Sequence, residues 1–222
     1  MSGRPEILFP LFAGLETLEG IGPKTAQSLT ALEISRPRDL LLTLPHTGVD
    51  RRRRATVQGA ELPGMVTVEV TVGQHHPPAR KGGPYRVVVE DAATSFHLIF
   101  FHARDEYLRR MLPTGARRIV SGKAELFDGI AQMVHPDHML PLEDAGEIPD
   151  FEPVYPLTAG VTQRVMAKGV QSALTRLPDL AEWIDPGQKA QAGWPDWADA
   201  IRAVHRPQEE RDLSPAHPAR GL

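Results

Sequence analysis

The stretch GMVTVEVTVG at 64–73 decides the fold class, because its side chains alternate between apolar and polar. Thr67, Glu69 and Thr71 stand between four valines that occupy every second position, Val66, Val68, Val70 and Val72. A period of two is typical of a strand that buries one face in a core. The sequence therefore predicts that a β-sheet begins here.

Four further strands are predicted downstream, at YRVVVE (85–90), SFHLIFF (95–101), RRIVSGKAEL (117–126) and IAQMVH (130–135). The segment DEYLRRML (105–112) predicts a short helix between the third and the fourth strand. Five strands with a helix in that position are the order of an oligonucleotide-binding (OB) barrel, a partly open antiparallel barrel that binds strands across one face. We therefore predict an OB barrel.

Helices are predicted on both sides of the barrel. In LEGIGPKTAQSLTALEI (18–34) the apolar residues share one face, and RPRDLLLTLP (36–45) adds a second amphipathic run that Pro45 ends. Further along, Thr162 is expected to cap VTQRVMAKGVQSALTRL, and Pro195 to open PDWADAIRAVH as its first helical residue. The apolar positions of the first run are Ile21, Ala26, Leu29 and Leu32.

The fold class we expect is mixed α+β, with three segments. Residues 1–55 form a helical, helix-hairpin-helix-like segment, 56–142 the OB barrel, and 143–222 a helical connector. The acidic, proline-bearing LPLEDAGEIPDFEP (140–153) and the polar RPQEERDLSPAHPARGL (206–222) are interpreted as linkers.

Composition excludes several classes of function. The 222 residues include no cysteine, which excludes disulfide frameworks, thiolate metal sites and cysteine nucleophiles. No apolar run approaches the ~18 residues of a membrane span, and no signal peptide is evident, so a cytoplasmic protein is expected.

The net charge is −3, yet the segment from Arg51 to Lys123 holds 13 Lys and Arg against 6 Asp and Glu. Such a basic middle segment is typical of a phosphate-binding module, although a chance fluctuation on a solvated surface also gives one.

The motif GIGPKT (20–25) does not fit a phosphate-binding loop, because Pro23 separates Gly22 from Lys24. It fits the hairpin of a helix-hairpin-helix element, where Gly20 and Gly22 allow a sharp turn. Backbone amides at the following helix start, with Lys24, would then face a DNA phosphate. The alternative is a hairpin that only packs against its neighbours.

Two further features favour nucleic acid. The run RRRR (51–54), which begins at Arg51, either contacts a phosphate backbone or is a solvated run of charge. In the third strand alternation sends Phe100 and Phe101 to opposite faces, so one of them points out of the core. An exposed phenylalanine on a basic barrel is a stacking platform for an unpaired base, and Tyr107 offers a second one. Alternatively, both aromatics pack under the neighbouring helix.

Metal binding and catalysis find little support. His75 with His76 and His135 with His138 are the close histidine groups, and neither has a convincing set of carboxylate partners. Asp91 follows Glu90 at the start of a turn, which favours turn chemistry over a catalytic carboxylate pair.

Six segments, in order, resemble the N-terminal portion of the RecG helicase family. The resemblance implies a wedge domain built on an OB barrel, which splits a stalled replication fork while a C-terminal motor pulls the duplex arms. That motor, with its ATP and Mg, is expected after AHPARGL, so this chain alone is expected to have no cofactor and no ATPase activity. The six segments are LEGIGPKTAQSL, DLLLTLPHTGVDRR, VVVEDAATSFHLIFFHARDEYLRRML, VSGKAELFDGIAQMVHPDH, VYPLTAGVTQRVMAKGVQSAL and AIRAVHRP.

The resemblance places the family's base-stacking phenylalanine on Phe101 and the aromatic that follows it on Tyr107, displaced by about two inserted residues. His102 stands where the family has asparagine. The segment LPHTGVDR keeps Asp50 and Arg51 but lacks two basic residues and the tyrosine of the family pattern.

The predicted function is structure-selective binding of branched DNA, in DNA repair and recombination. Phe101 and Tyr107 would cap separated bases, and phosphates would be held by Arg86, Arg104, Arg109 and Lys123. We expect a monomer, with a single-stranded DNA-binding protein as a further partner. The alternatives are a stand-alone single-strand-binding module and a barrel that binds another protein.

Overall fold

A computed structural model of the chain describes Gly3 and residues 5–220. The strands are β1 (Thr47–Asp50), β2 (Arg53–Arg54), β3 (Gly64–His76), β4 (Tyr85–Glu90), β5 (Ser95–Phe100), β6 (Arg117–Phe127), β7 (Ile130–Val134), β8 (His138–Pro141) and β9 (Phe151–Val154). The α-helices are α1 (Pro23–Leu29), α2 (Pro37–Leu42), α3 (Asp105–Met111), α4 (Gln163–Leu174), α5 (Pro186–Ala192) and α6 (Trp197–Val204). Short 3-10 helices cover Glu6–Phe12, Leu15–Thr17, Thr30–Leu32, Leu142–Glu147, Glu210–Leu213 and Pro218–Arg220.

The chain forms two compact units. The central unit is Asp50–Asp150, and the terminal unit combines the residues up to Val49 with those from Phe151 onward. This division differs from the three segments expected at 1–55, 56–142 and 143–222, because the first and the last of them pack together. The strands β1 and β9 pair, and α2 packs on α4.

The central unit is the predicted barrel. Its strands pair in the order β3–β4–β5–β7–β6, and β6 pairs in turn with β3. The long β3 serves two neighbours, since Gly64–Thr71 pairs with β6 and the part from Thr71 to His76 pairs with β4. A register shift between Val72 and His75 indicates a β-bulge, and a bulge bends the strand. All of these pairs are antiparallel except β5–β7, which is parallel and differs from the antiparallel barrel expected from the sequence.

Alternation along the strands fills the barrel as predicted. The four valines of β3 are buried, together with Val87 and Val89 of β4 and Phe96 and Leu98 of β5. Leu108 of α3 belongs to the same core and is fully buried. The helix between the third and fourth barrel strands therefore covers part of the core with one face.

The segment 140–153 is not the linker that its composition predicts. Ala145 and Ile148 are buried against Ile119 of β6, and β8 pairs along the same strand. A few apolar residues in an otherwise acidic run are enough to fix it to the barrel, because each removes apolar area from water.

The terminal unit has its own apolar core, built from α1, α2, α4 and the neighbouring segments. Thr162 caps α4 as predicted, because its side chain accepts a hydrogen bond from the Val165 amide. Pro195 lies outside α6, which begins at Trp197 after the N-cap Asp196, so the expected helix start is wrong by two residues. The structure also adds β1 to a segment expected to be helical, and α5, which the sequence did not predict.

The C-terminal segment also packs rather than forming a free linker. Ala219 is buried against α6, and Arg220 donates a hydrogen bond to the Pro45 carbonyl. Among the described residues, no helix is both long and apolar enough to cross a membrane.

Candidate nucleic-acid interface

The end of β5 presents two adjacent phenylalanines to opposite sides. Phe100 is buried at 4% exposure, whereas Phe101 is 41% exposed. As predicted, one of the two points out of the core, and it is Phe101. Phe101 follows β5 rather than belonging to it, and Ile99 is buried beside Phe100, so strict alternation does not extend to the end of the strand. Tyr107, on α3, is similarly exposed at 44%. The alternative, in which both aromatics pack under the helix, is wrong.

These two exposed aromatics line one cleft of about 600 Å³. Arg104 and Arg110 lie in the same wall, and the guanidinium carbon of Arg110 is 5.8 Å from the ring centroid of Tyr107, within cation–π range. The cleft thus combines flat apolar faces with positive charge. Its full lining is Phe100, Phe101, His102, Ala103, Arg104, Glu106, Tyr107, Leu108, Arg110, His135, Pro136 and Met139.

The helix α3 is held to the barrel at both ends. At its start, the Tyr85 hydroxyl donates a 2.5 Å hydrogen bond to Oδ1 of Asp105. At its end, Nε2 of His75 donates to the Leu112 carbonyl at 2.8 Å, while Nδ1 of His75 lies 3.0 Å from the Tyr85 hydroxyl. Burial and the hydrogen bond to Asp105 raise the pKa of Tyr85 to about 12, so the phenol keeps its proton at neutral pH.

Of the four predicted phosphate contacts on the barrel, Arg104 alone lines the cleft. Arg109 turns to Asp105, since its Nε donates to both carboxylate oxygens at 2.9 Å. Hydrogen bonds from Arg109 and Tyr85 lower the pKa of Asp105. The charge of Arg109 is therefore already paired.

Arg86 and Lys123 are exposed but lie far apart on the barrel. Arg86 is opposite His76 at the end of β3, whereas Lys123 is opposite Met65 near its start. Neither residue lines the cleft, and a phosphate contact by either one remains a prediction.

Arg51 has a structural role that argues against the predicted phosphate contact. Arg51 is 6% exposed, and its guanidinium donates hydrogen bonds to Ser121 Oγ and to Asp137 Oδ2, both at 2.9 Å. The Arg51 amide also donates to the Asp150 carbonyl. The three arginines that follow it are exposed.

The hairpin at Gly20–Gly22 packs against α4 within the terminal unit. A Cβ at Gly20, whose φ is +82°, would lie 2.9 Å from Cδ of Lys168. Lys24 is exposed, and α1 begins after Gly22 with Pro23 at its first position. The element that precedes the hairpin is the 3-10 helix Leu15–Thr17, so the predicted helix-hairpin-helix lacks an α-helix on that side. The geometry favours the packing alternative, and phosphate contact by Gly20, Gly22 and Lys24 stays a prediction.

The turn at 91–94 owes its shape to Asp91, in agreement with the turn role expected from the sequence. Its carboxylate accepts hydrogen bonds from the amides of Val57, Ala93 and Thr94. Burial opposes ionisation, but these hydrogen bonds outweigh it and lower the pKa of Asp91.

Two of the four histidines singled out in the sequence, His75 and His135, serve as hydrogen-bond partners. His75 contacts Tyr85 and the Leu112 carbonyl, and His135 accepts a hydrogen bond from the Phe101 amide. In the described part of the chain, no group of three or more His, Cys, Asp or Glu side chains has the arrangement of a metal site.

Arg110 and His135 are among the cleft residues that the sequence did not assign to a nucleic-acid site. Arg110 lies three positions after Tyr107, a helical spacing that puts both side chains on one face, so the pattern held a usable signal. His135 contacts a residue 34 positions away, and no local pattern predicts that contact.

Comparison with known proteins gives the family. Residues 15–177 match the family model described as the RecG wedge domain. The chain belongs to the RecG wedge domain family. This finding confirms the resemblance drawn from the six sequence segments.

Curated relatives of the chain are named ATP-dependent DNA helicase RecG. The chain is 27% identical to the ATP-dependent DNA helicase RecG of Acidithiobacillus ferridurans over 94% of its own length and 30% of the relative's. It is 30% identical to RecG of Escherichia coli O157:H7, over 90% of this chain and 29% of the relative. The chain therefore spans about 30% of the length of the curated RecG proteins it matches.

A solved structure supports the RecG wedge fold. The structure of RecG bound to a three-way DNA junction superposes with a TM-score of 0.77 and 23% identity, over 97% of this chain and 29% of that one. The mixed α and β architecture is therefore shared with RecG.

Proposed function

We propose that the central unit binds branched DNA, and that Phe101 and Tyr107 stack on unpaired bases where the strands separate. The observation that carries this proposal is the cleft itself. Two half-exposed aromatic rings, Phe101 directly after β5 and Tyr107 on α3, share its lining with Arg104 and Arg110.

The chemistry of the cleft fits a separated strand better than an intact duplex. Base stacking on an aromatic side chain is worth about 1–3 kcal/mol per base and needs a base whose face is free. The arginines supply attraction to phosphates without reading sequence. A site of this kind favours the place where paired strands open.

The wider role follows from the relatives. Those proteins are named ATP-dependent DNA helicase RecG, and the solved relative is bound to a three-way DNA junction. We propose that this chain is the wedge of a RecG-type helicase that acts in DNA repair and recombination. In that role a motor using ATP and Mg would move the DNA, the protein would be a cytoplasmic monomer, and a single-stranded DNA-binding protein would be a further partner.

The test compares three labelled DNAs by fluorescence anisotropy: a three-way junction, a single strand and a plain duplex, each across a salt series. The proposal predicts that the junction binds most tightly at every salt concentration. Tightest binding to the single strand would support a stand-alone single-strand-binding module instead. Equal and steeply salt-dependent binding to all three would mean that only charge contributes.

A further inference from the structure

The residue that follows β7 contacts the chain just beyond the end of β5. The partners Ile99 and Val134 close the parallel β5–β7 ladder, and the His135 amide continues it by donating to the Ile99 carbonyl at 2.9 Å. The next hydrogen bond involves the side chain, because the Phe101 amide donates to Nε2 of His135 at 3.1 Å. At Phe101, the imidazole of His135 therefore accepts the hydrogen bond that a backbone carbonyl would accept in a continuing ladder.

The imidazole also lies beside both phenylalanines. Its ring centroid is 5.9 Å from that of Phe100 in an edge-to-face arrangement, and 5.9 Å from that of Phe101 at an angle of 42°. One of these rings is buried in the barrel and the other points into the cleft. His135 thus contacts the fixed ring and the exposed ring together.

The backbone at this place turns sharply. His102, directly after Phe101, has φ +57°, and His135 has φ +48°. Such angles are uncommon for residues other than glycine. Because the β5–β7 ladder ends here and the chain leaves the sheet, the Phe101 amide donates to the His135 side chain instead of to a backbone carbonyl of β7.

We infer that His135 is a positioning residue, which orients the ring of Phe101 toward the cleft through the hydrogen bond from the Phe101 amide. A nitrogen that accepts this bond must carry no proton, so the neutral imidazole holds its proton on Nδ1. The inference rests on the proposed function, because orientation matters only if Phe101 stacks on a base.

The test uses the full chain with three variants. His135→Phe keeps an aromatic ring and removes the acceptor, and His135→Gln keeps an acceptor oxygen and removes the ring. His46→Phe is the matched control, since His46 is an exposed histidine of the terminal unit. The first readout needs no DNA and is the hydrogen-exchange rate of the Phe101 amide measured by NMR.

We expect faster exchange of the Phe101 amide in His135→Phe and a rate close to wild type in His135→Gln and in His46→Phe. An unchanged rate in His135→Phe would overturn the inference whatever the DNA results are. This readout separates a failure of positioning from a failure of the proposed function.

The second readout is affinity for a three-way junction, with and without Phe101→Ala. We expect His135→Phe to weaken binding roughly threefold to tenfold, because part of the stacking on one base is lost, and His135→Gln to restore most of it. In the Phe101→Ala background the same substitution should have no further effect. An equal loss in both backgrounds would overturn the inference, while no loss in Phe101→Ala itself would overturn the proposed function and the inference with it.

Discussion

Tyr85 of β4 and Asp105, the first residue of α3, are joined by a 2.5 Å hydrogen bond from the phenol to the carboxylate. Tyr85 is 2% exposed, and its hydroxyl contacts both Asp105 and His75. The bond ties the barrel wall to the helix that carries Tyr107. The cleft therefore depends on a buried residue that does not line it.

Replacement of Tyr85 by phenylalanine tests this dependence. Tyr85→Phe keeps the ring and removes the hydroxyl, so we expect the central unit to lose about 1–2 kcal/mol of stability, since one charge-assisted hydrogen bond is lost. Junction affinity should fall severalfold, because α3 is less well fixed. Urea unfolding followed by circular dichroism gives the first quantity and anisotropy the second.

Tyr155→Phe is the matched control in the terminal unit. Its hydroxyl is also buried and lies 3.0 Å from Nδ1 of His205. This variant should lose a similar amount of stability and keep its junction affinity. Equal losses of affinity in the two variants would contradict a specific role for the Tyr85–Asp105 bond.

Local patterns in the sequence predict the barrel strands well, because the valines of β3 alternate with polar residues. The alternation also predicts that one of Phe100 and Phe101 points outward, but it does not say which one, and the choice of Phe101 came from the family resemblance. Arg51 could not be placed in the same way. Its partners Ser121 and Asp137 are distant in sequence, and a run of four arginines looks the same whether its first member is buried or exposed.

The division into two units could also not be predicted from the sequence. The pairing of β1 with β9 joins residues about a hundred positions apart, and neither strand has the length or the alternation that predicts a strand. The burial of Ala145 and Ile148 was not predictable either. They are two apolar residues in an acidic run, and they are buried because they pack against Ile119, which is distant in sequence.

Stability of the terminal unit should fall in acid because of His205. This side chain is 1% exposed, and burial lowers its pKa below the ordinary value, although the hydrogen bond to the Leu41 carbonyl partly opposes this effect. The unfolded chain takes up a proton near pH ~6.5, whereas the folded chain resists it. The stabilising contribution is therefore complete above pH ~6.5 and decreases as the pH falls below that value.

Tryptophan fluorescence measures this effect selectively, because all three tryptophans, Trp183, Trp194 and Trp197, belong to the terminal unit. Urea midpoints at pH 8 and pH 5 should differ less in His205→Gln than in wild type, since an amide does not titrate. His46→Gln, at an exposed site of the same unit, should keep the wild-type difference. If His205→Gln kept the full difference as well, the acid sensitivity would come from other groups.

Within the arginine run, the first and third members should behave differently. Arg51→Ala removes a buried guanidinium with two hydrogen-bond partners, so we expect the central unit to lose roughly 1–3 kcal/mol of stability. Arg53→Ala, at an exposed residue, should change stability by less than ~0.5 kcal/mol. Thermal unfolding of both variants checks the contrast, and similar melting temperatures would contradict the structural role of Arg51.

The hairpin glycines offer a second matched pair. Gly20→Ala places a Cβ at φ +82° and 2.9 Å from Cδ of Lys168, so it should destabilise the terminal unit by roughly 1–2 kcal/mol. Gly22→Ala meets nothing within 4 Å, but alanine is a poorer N-cap for α1 than glycine, so this variant should cost about 0.5–1 kcal/mol. If packing is the hairpin's role, both variants keep their junction affinity. A loss of affinity in Gly22→Ala, measured where the protein stays folded, would instead support phosphate contact at the hairpin.

The most direct test of the account is the affinity of Phe101→Ala for a three-way junction, compared with Phe127→Ala. Both residues are exposed phenylalanines of the central unit, and Phe127 lies at the β6–β7 turn outside the cleft lining. We expect Phe101→Ala to bind the junction roughly 5-fold to 150-fold more weakly than wild type, because stacking on one base is lost, and Phe127→Ala to bind like wild type. Equal affinities for wild type and both variants would show that junction binding does not depend on the cleft.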